Sequence, residues 1–357
     1  MALVVASAVH CAADPFVQED LRIPLAAAGP RGLEALLVRP NEPGRYPLAL
    51  MSHGSPRARA DFADMTPLGL LPEAIEFARR GFAAVVVMRR GYGDSGGGWG
   101  EDAGGCTDPD YLAAERSAVV DLKATIDTIT KRPDVDGSRM IAVGVSAGGL
   151  ATVALTASPP PGLVAAISFA GGRGSLADNE VCRADRLIEA YRVLGKTSRV
   201  PMLWVYAAND HFFGPDLAVK FKDAFTGSGG RVDFVAAPAF SKDGHSLFSV
   251  AGIPVWTGYV DAFLKQQNLM LRATPLPPPP PPAIVAPAAL RANGQAAFET
   301  YKISAPHKAF AFAPDGAFGW KTAMRTTEAA RSAALKYCSE HASNCSVGFV
   351  DDAAVPK

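Results

Sequence analysis

Gly144-Val145-Ser146-Ala147-Gly148 is the segment of this chain whose residue types and spacing most directly suggest chemistry. An apolar run, Ile141 to Val145, leads into it, and a small-residue stretch, Ala147 to Ala157, leads out. A strand turning sharply into a helix here would lift the Ser146 hydroxyl clear of a sheet, with glycines on either side admitting the neighbouring backbone. The Ala147 amide, at the start of that helix, would point to where a tetrahedral oxyanion forms. A serine hydroxyl is a weak nucleophile until a base takes its proton. His245, beside Gly244 in the segment after the apolar run 231–237, is placed to be that base. The preceding apolar run ends in Asn209-Asp210, and a carboxylate there would hold the imidazole in the proton-accepting tautomer. Asp216 is the rival acid, but it is better placed to cap the next helix.

A second oxyanion donor is expected after the apolar run 46–52, in Ser52-His53-Gly54-Ser55-Pro56. Pro56 has no amide hydrogen, which leaves the Ser55 amide. His53 precedes the nucleophile in the chain and is read as structural or pocket-lining, and His211, next to Asp210, as lining the pocket or capping its loop. Residues 94–108 form a long Gly-rich loop, and long loops are often functional. Tyr92 and Trp99 are expected to give an apolar wall for an acyl or aromatic group; a surface loop pinned by Cys106 is the other reading. Arg173 lies in a second loop, 171–186, and is expected to meet a local carboxylate rather than an anionic substrate.

These residues need a scaffold. Eight apolar runs read as strands: 18–26, 33–39, 46–52, 82–88, 139–145, 163–170, 201–208 and 231–237. From 46–52 onward they are continuously apolar, as expected of parallel strands covered on both faces. The first two lie close enough together to pair antiparallel at one edge. Helical spacing occurs in 67–80 and 110–131, and helices are expected after Ser146, over 183–195 and 215–226, and over 254–269. This alternation predicts an α/β fold, a mostly parallel eight-stranded sheet with helices on both faces. Right-handed crossovers then bring the functional loops to the carboxyl ends of the strands.

Nearly half the 357 residues are apolar, and 35 Lys and Arg balance 35 Asp and Glu. Such a chain can bury a large core and has no basic excess for nucleic acid. No run approaches the roughly 18 to 20 apolar residues of a membrane span. Residues 1–13 resemble the apolar part and cleavage site of a secretory signal, although the basic start is missing; a buried first strand is the other reading. Without Cys11, four cysteines remain. An even number fits disulfides in an exported, periplasmic or secreted protein. Cys338 and Cys345 are close in sequence and are expected to pair, leaving Cys106 with Cys182 to tie the 94–108 and 171–186 loops together; four free thiols is the other reading. No metal-ligand spacing occurs.

The proline-rich tract 275–289 marks a semi-rigid linker, 273–292, between a large domain, 16–272, and a small module, 293–353. The module reads as α+β: a hairpin turning at Pro314-Asp315-Gly316, a helix over 326–339 capped by Thr326 or Thr327, and a last strand, 346–350. Its His307 and His341 read as surface residues. Binding to an envelope component or a protein partner is the role left for the module.

His53-Gly54, Arg90-Gly91-Tyr92-Gly93-Asp94-Ser95, Gly144 to Gly149, Asn209-Asp210 and Gly244-His245 together resemble the dienelactone-hydrolase-like and carboxylesterase branch of the α/β-hydrolase superfamily. They also echo the prolyl-oligopeptidase and X-prolyl-peptidase groups. The order Ser146, Asp210, His245 is the superfamily's order. Dienelactone hydrolases use cysteine where this chain has Ser146. The resemblance therefore implies a serine hydrolase needing no cofactor, first a carboxylic ester hydrolase acting on a small-molecule ester through an acyl-Ser146 intermediate. A serine peptidase is the alternative within enzymes. A binding protein on a hydrolase scaffold is the alternative from another class, and a reactive-serine probe separates it from the other two.

Overall fold

The computed structural model describes residues 14–356. The signal reading of residues 1–13 and Cys11 lies outside them. All eight expected strands form one sheet. The edge pair is antiparallel: β1 (Phe16–Ile23) runs against β2 (Leu33–Pro40), and β2 against β4 (Ala83–Val87). From β4 the sheet continues in parallel through β3 (Tyr46–Ser52), β5 (Val135–Val145), β6 (Leu163–Phe169), β9 (Met202–Ala207) and β10 (Val232–Ala237). The order is thus β1-β2-β4-β3-β5-β6-β9-β10. Two very short strands, β7 (Ser175–Ala177) and β8 (Glu180–Val181), pair in a separate hairpin inside the segment expected to be a loop.

The strands are apolar on both faces because both faces are covered. On one side α2 (Tyr111–Ile129), α3 (Ala147–Ala157), α4 (Ala184–Gly195) and α5 (Pro215–Thr226) bury Ala118, Leu122, Ile126, Leu187 and Phe221. On the other, α1 (Leu71–Arg79) and α6 (Ile253–Gln266) bury Phe77, Trp256, Val260 and Phe263. Asp110 starts α2 by accepting from the Ala113 amide at 2.8 Å. Gly214 is the N-cap of α5 and Asp216 sits in its first turn, so Asp216 favours the helix dipole without capping.

Glu73 on α1 is an exception to this apolar packing. It is buried, its Oε2 has no hydrogen-bond partner among the described residues, and burial pushes its pKa up to about 8. Its folded pKa lies above the ordinary value of 4.5. The stability it permits is therefore full below pH 4.5 and lost as pH rises through 8. Glu73→Gln copies the protonated form. The variant should melt with the wild type near pH 5 and above it at pH 9, by at most on the order of 4 kcal/mol. Parallel melting curves across that range would show that Glu73 ionises freely.

The second unit begins with a helix the sequence reading did not anticipate, α7 (Ala292–Lys302). A four-stranded antiparallel sheet follows, in the order β12 (Phe318–Lys321), β11 (Ala309–Phe312), β13 (Ser346–Val350) and β14 (Ala353–Ala354). α8 (Thr327–Ser339), capped by Thr326, covers one face through Ala330 and Ala334. α7 covers the other through Phe298 and Tyr301. Both cysteine pairs form: Cys338 with Cys345, and Cys106 with Cys182 across a separation of 76 residues. Among the described residues no helix is long and apolar enough to cross a membrane.

Candidate active site

Ser146 stands between β5 and α3 with φ 55° and ψ −123°. A left-handed non-glycine residue at such a turn is strained and is held there by its surroundings. Its neighbours show how. A Cβ at Gly144 would lie 2.1 Å from the Gly148 carbonyl oxygen, and one at Gly148 would lie 2.1 Å from that of Ser52. Only glycine lets β5, α3 and the end of β3 approach this closely. The Phe169 carbonyl accepts from the Ser146 amide at 2.9 Å and fixes the turn against β6.

Asp210 and His245 meet just past β9 and β10. The His245 Nδ1 lies 3.1 Å from Asp210 Oδ2 and 3.2 Å from Oδ1. Asp210 is buried, and its Oδ1 also accepts from the Phe212 and Phe213 amides, at 2.7 and 2.9 Å. Three donors on an acceptor-only group leave the His245 Nδ1 as the protonated nitrogen, so Nε2 is free to accept. Asn209 and Asp243 lock the two loops to each other. Asn209 Oδ1 accepts from the Phe240 amide at 2.8 Å, and Asp243 Oδ1 from the amides of His211 and His245 at 3.0 and 2.9 Å. The Phe212 ring stacks on the imidazole, centroids 3.9 Å apart, and the Arg57 guanidinium lies 3.7 Å above the other side of that ring.

Two cavities share Ser55, Pro56, Arg57, Ser146 and Phe212. The first, about 320 Å³, also takes in His245, Met65, Thr66, Gly69 and Leu70. The second, about 260 Å³, takes in Ala147, Trp99, Phe213 and the Cys106–Cys182 pair, with Arg57, Arg59, Glu101, Asp102 and Arg173 as its charged lining. Ser55 and Ala147 thus border the second cavity beside Ser146, and the Ala147 amide is in the first turn of α3, where amides have no intrahelical partner.

Tyr92 does not form the cavity wall expected of it. It is fully buried, with its hydroxyl between Ser55 Oγ at 3.0 Å and Glu101 Oε2 at 3.2 Å, and it accepts from Trp99 Nε1 at 3.0 Å. The ring supports Trp99, which does line the cavity. His211 borders neither cavity; its backbone is drawn to Asp243, and its ring faces Asp178 at 3.7 Å. His53 lines the first cavity but is neutral. Burial, with the Arg89 cation beside it, drives its pKa down to about 3. Its Nδ1 donates to the Gly54 carbonyl and its Nε2 accepts from the Arg89 amide.

A buried ionic network, missed in the sequence, lies beneath these cavities. Arg89 pairs with Glu101, and Arg173 pairs with Glu101 at 2.6 Å and Glu115 at 2.8 Å. Arg89 also donates to Ser52 Oγ and the His53 carbonyl, both at 2.8 Å, and so holds the strand end that carries Ser55. Burial raises the Glu101 pKa, but Arg89 and Arg173 outweigh it and hold it at about 2. Arg173 does meet local carboxylates. Its partners Glu101 and Glu115 are 72 and 58 residues away, a relation no local pattern reveals.

Residues 30–196 match the family model of X-Pro dipeptidyl-peptidase (S15 family). None of the curated proteins matches the chain. Among solved structures, it is similar to the acylaminoacyl peptidase of Pyrococcus horikoshii (18% identity, TM-score 0.49), covering 71% of this chain and 42% of that one. An esterase of Pyrococcus furiosus is similar at 12% identity and TM-score 0.49, over 70% of this chain and 90% of that one. Acetyl xylan esterase 1 from Thermoanaerobacterium sp. is similar at 15% identity and TM-score 0.48, over 73% and 89%. Likenesses this remote say nothing about substrate. By its strand order and its strand-to-helix serine the chain has an α/β-hydrolase-like fold, and over residues 30–196 it is similar to the S15 family.

Proposed function

We propose that the chain is a carboxylic ester hydrolase in which Ser146 is the nucleophile, His245 the general base and acid, and Asp210 the group that orients His245. The supporting observation is the Asp210–His245 pair opening onto the same cavity as Ser146. His245 Nε2 takes the Ser146 proton as Oγ bonds to the ester carbon, and the carbonyl electron pair moves to oxygen. The amides of Ala147 and Ser55 receive that oxyanion. Its collapse breaks the bond to the alkoxy oxygen, which leaves as alcohol with the His245 proton. Water then attacks the acyl-serine, gives its proton to His245, and the acid departs with Ser146 restored.

The lining of the two cavities supports one assignment of the substrate's parts. The leaving alcohol must be protonated by His245, which borders only the 320 Å³ cavity with Met65, Gly69 and Leu70. The acyl group then occupies the 260 Å³ cavity, against Trp99 and Phe213.

The S15 match favours a second reading, a peptidase that grips a free amino terminus. The acyl cavity is poorly suited to an ammonium group. Arg57, Arg59 and Arg173 face it against Glu101 and Asp102, and both Glu101 oxygens are already taken by Arg89, Arg173 and Tyr92. The wild type should hydrolyse p-nitrophenyl acetate and butyrate, with kcat/KM on Ala-Pro-p-nitroanilide about a hundredfold lower or less. Comparable anilide turnover, abolished by acetylating the substrate's amino group, would establish the peptidase instead. The two disulfides further support an oxidising location, periplasmic or secreted; free thiols in the native protein would count against it.

A further inference from the structure

We propose that the C-terminal module braces one wall of the active site, and that Arg325 is the positioning residue through which it sets the fit of the leaving alcohol. This rests on the ester reading for its kinetic consequence, although the contact itself does not.

The wall in question is the segment 62–70. Its residues Met65, Thr66, Gly69 and Leu70 border the cavity that holds Ser146 and His245. The segment contains only short 3-10 turns, Arg59–Phe62 and Pro67–Leu70, with no sheet pairing to hold it. The module supplies the hold. Arg325 forms a two-pronged pair with Glu34 at 2.8 and 2.9 Å, and donates to the Met65 carbonyl at 2.6 Å. Thr66 Oγ1 donates to the Ala323 carbonyl at 2.7 Å. Adjacent residues of the wall are therefore tied to one short strap, 322–325.

That strap is rigid enough to act as a support. It runs from the end of β12 to the Thr326 cap of α8. His307 braces it from inside the module: its Nδ1 donates to the Met324 carbonyl at 3.0 Å, and its own carbonyl accepts from the Met324 amide at 3.2 Å. Ala323 holds a left-handed φ of 57°, the conformation from which its carbonyl reaches Thr66. On the far side, Glu34 is anchored in β2 and also accepts from the Asp94 amide at 2.8 Å. Glu34 thus joins a sheet strand, the loop after β4 and the module at one carboxylate. The Gly93 amide donates to the Phe62 carbonyl at 2.8 Å, so the same junction reaches the start of the wall.

The test uses the full chain. In Arg325→Ala, backbone amides in 62–70 should exchange with deuterium at least about tenfold faster than in the wild type, while amides of β5 and β6 keep their rates. With acetate esters of phenol and 1-naphthol, KM for the larger alcohol should rise about tenfold with kcat within about twofold, and the smaller ester should change less. Glu34→Gln keeps an acceptor for the Asp94 amide but loses the charge pair, so it should move the same quantities in the same direction. The double variant should add little beyond Arg325→Ala, because the two residues act as one unit. If Arg325→Ala does not fold, Arg325→Lys keeps a cation at Glu34, loses the two-pronged grip and should still loosen 62–70. Unchanged exchange in 62–70 and unchanged KM in a folded variant would make the module a passive attachment. An equal fall in kcat on both esters would mean damage to the reacting groups and would also overturn the proposal. If the wild type turns over neither ester, the ester reading fails, while the exchange measurement still decides whether the module holds the wall.

Discussion

Ser146→Ala should lower kcat on an activated ester by about five orders of magnitude, with KM and the melting temperature close to those of the wild type. The size follows from the role proposed for the hydroxyl. Without it there is no acyl intermediate, and His245 can only help water attack a carbonyl held for a different nucleophile. The amides of Ala147 and Ser55 remain, so the residue of catalysis should stay above the rate in water. The fold should be indifferent, because Ala147 and the rest of α3 are set by Gly144 and Gly148 rather than by the serine oxygen. The left-handed φ is kept in the variant, so relief of strain should not raise stability much. Steady-state rates and a thermal melt check both halves, and mass spectrometry with a fluorophosphonate adds a third: wild type labelled at Ser146, variant unlabelled. A variant within tenfold of wild type would move the nucleophile elsewhere, whereas a folded wild type that neither turns over ester nor takes the label would reopen the reading of the chain as a binding protein on a hydrolase scaffold.

The sheet was readable because its strands are buried on both faces. Runs such as FAAVVVM and PMLWVYAA have no polar alternation, and between helical stretches they leave few other folds. The candidate triad was readable for a related reason: each member lies in a segment that follows a strand, so chain order and strand ends locate it together. What failed to show in the sequence depends on contacts between distant segments. Tyr92 looks like a pocket aromatic in a Gly-rich loop, yet the turn at Gly91 and Gly93 directs its ring inward, onto Glu101 and Ser55. Glu101 is one of several acids in a Gly-rich loop, next to Asp102, until Arg89 and Arg173 close on it. Phe212 and Phe213 follow Asp210 directly, and only the fold shows their amides turned back onto its carboxylate. The helix α7 escaped notice because it begins at the end of a proline-rich stretch and carries just Phe298 and Tyr301 as large apolar anchors.

Asp210→Asn should cost about four orders of magnitude in kcat near neutral pH while leaving the protein folded. Asp210 Oδ1 accepts from the Phe212 and Phe213 amides, and an asparagine can satisfy both only by placing its oxygen there. Its amide nitrogen then occupies the position of Oδ2, facing His245 Nδ1. An NH2 group in that place donates, so Nδ1 must become the acceptor and the imidazole proton moves to Nε2. In the proposed mechanism that nitrogen takes the Ser146 proton, and in this tautomer it has no lone pair to offer. The flipped amide is no escape, because it would set two donors against the Phe212 and Phe213 amides in a buried site. Unlike Ser146→Ala, the variant keeps its nucleophile, so a fluorophosphonate should still label Ser146, at a rate reduced in step with kcat. Asp216→Asn is the control, since Asp216 sits in the first turn of α5 and outside both cavities, and it should keep full activity. Full activity in Asp210→Asn, with loss in Asp216→Asn, would transfer the orienting role to the rival carboxylate. Equal small losses in both would mean that the Phe212 stack on His245, rather than any carboxylate, sets the imidazole's orientation.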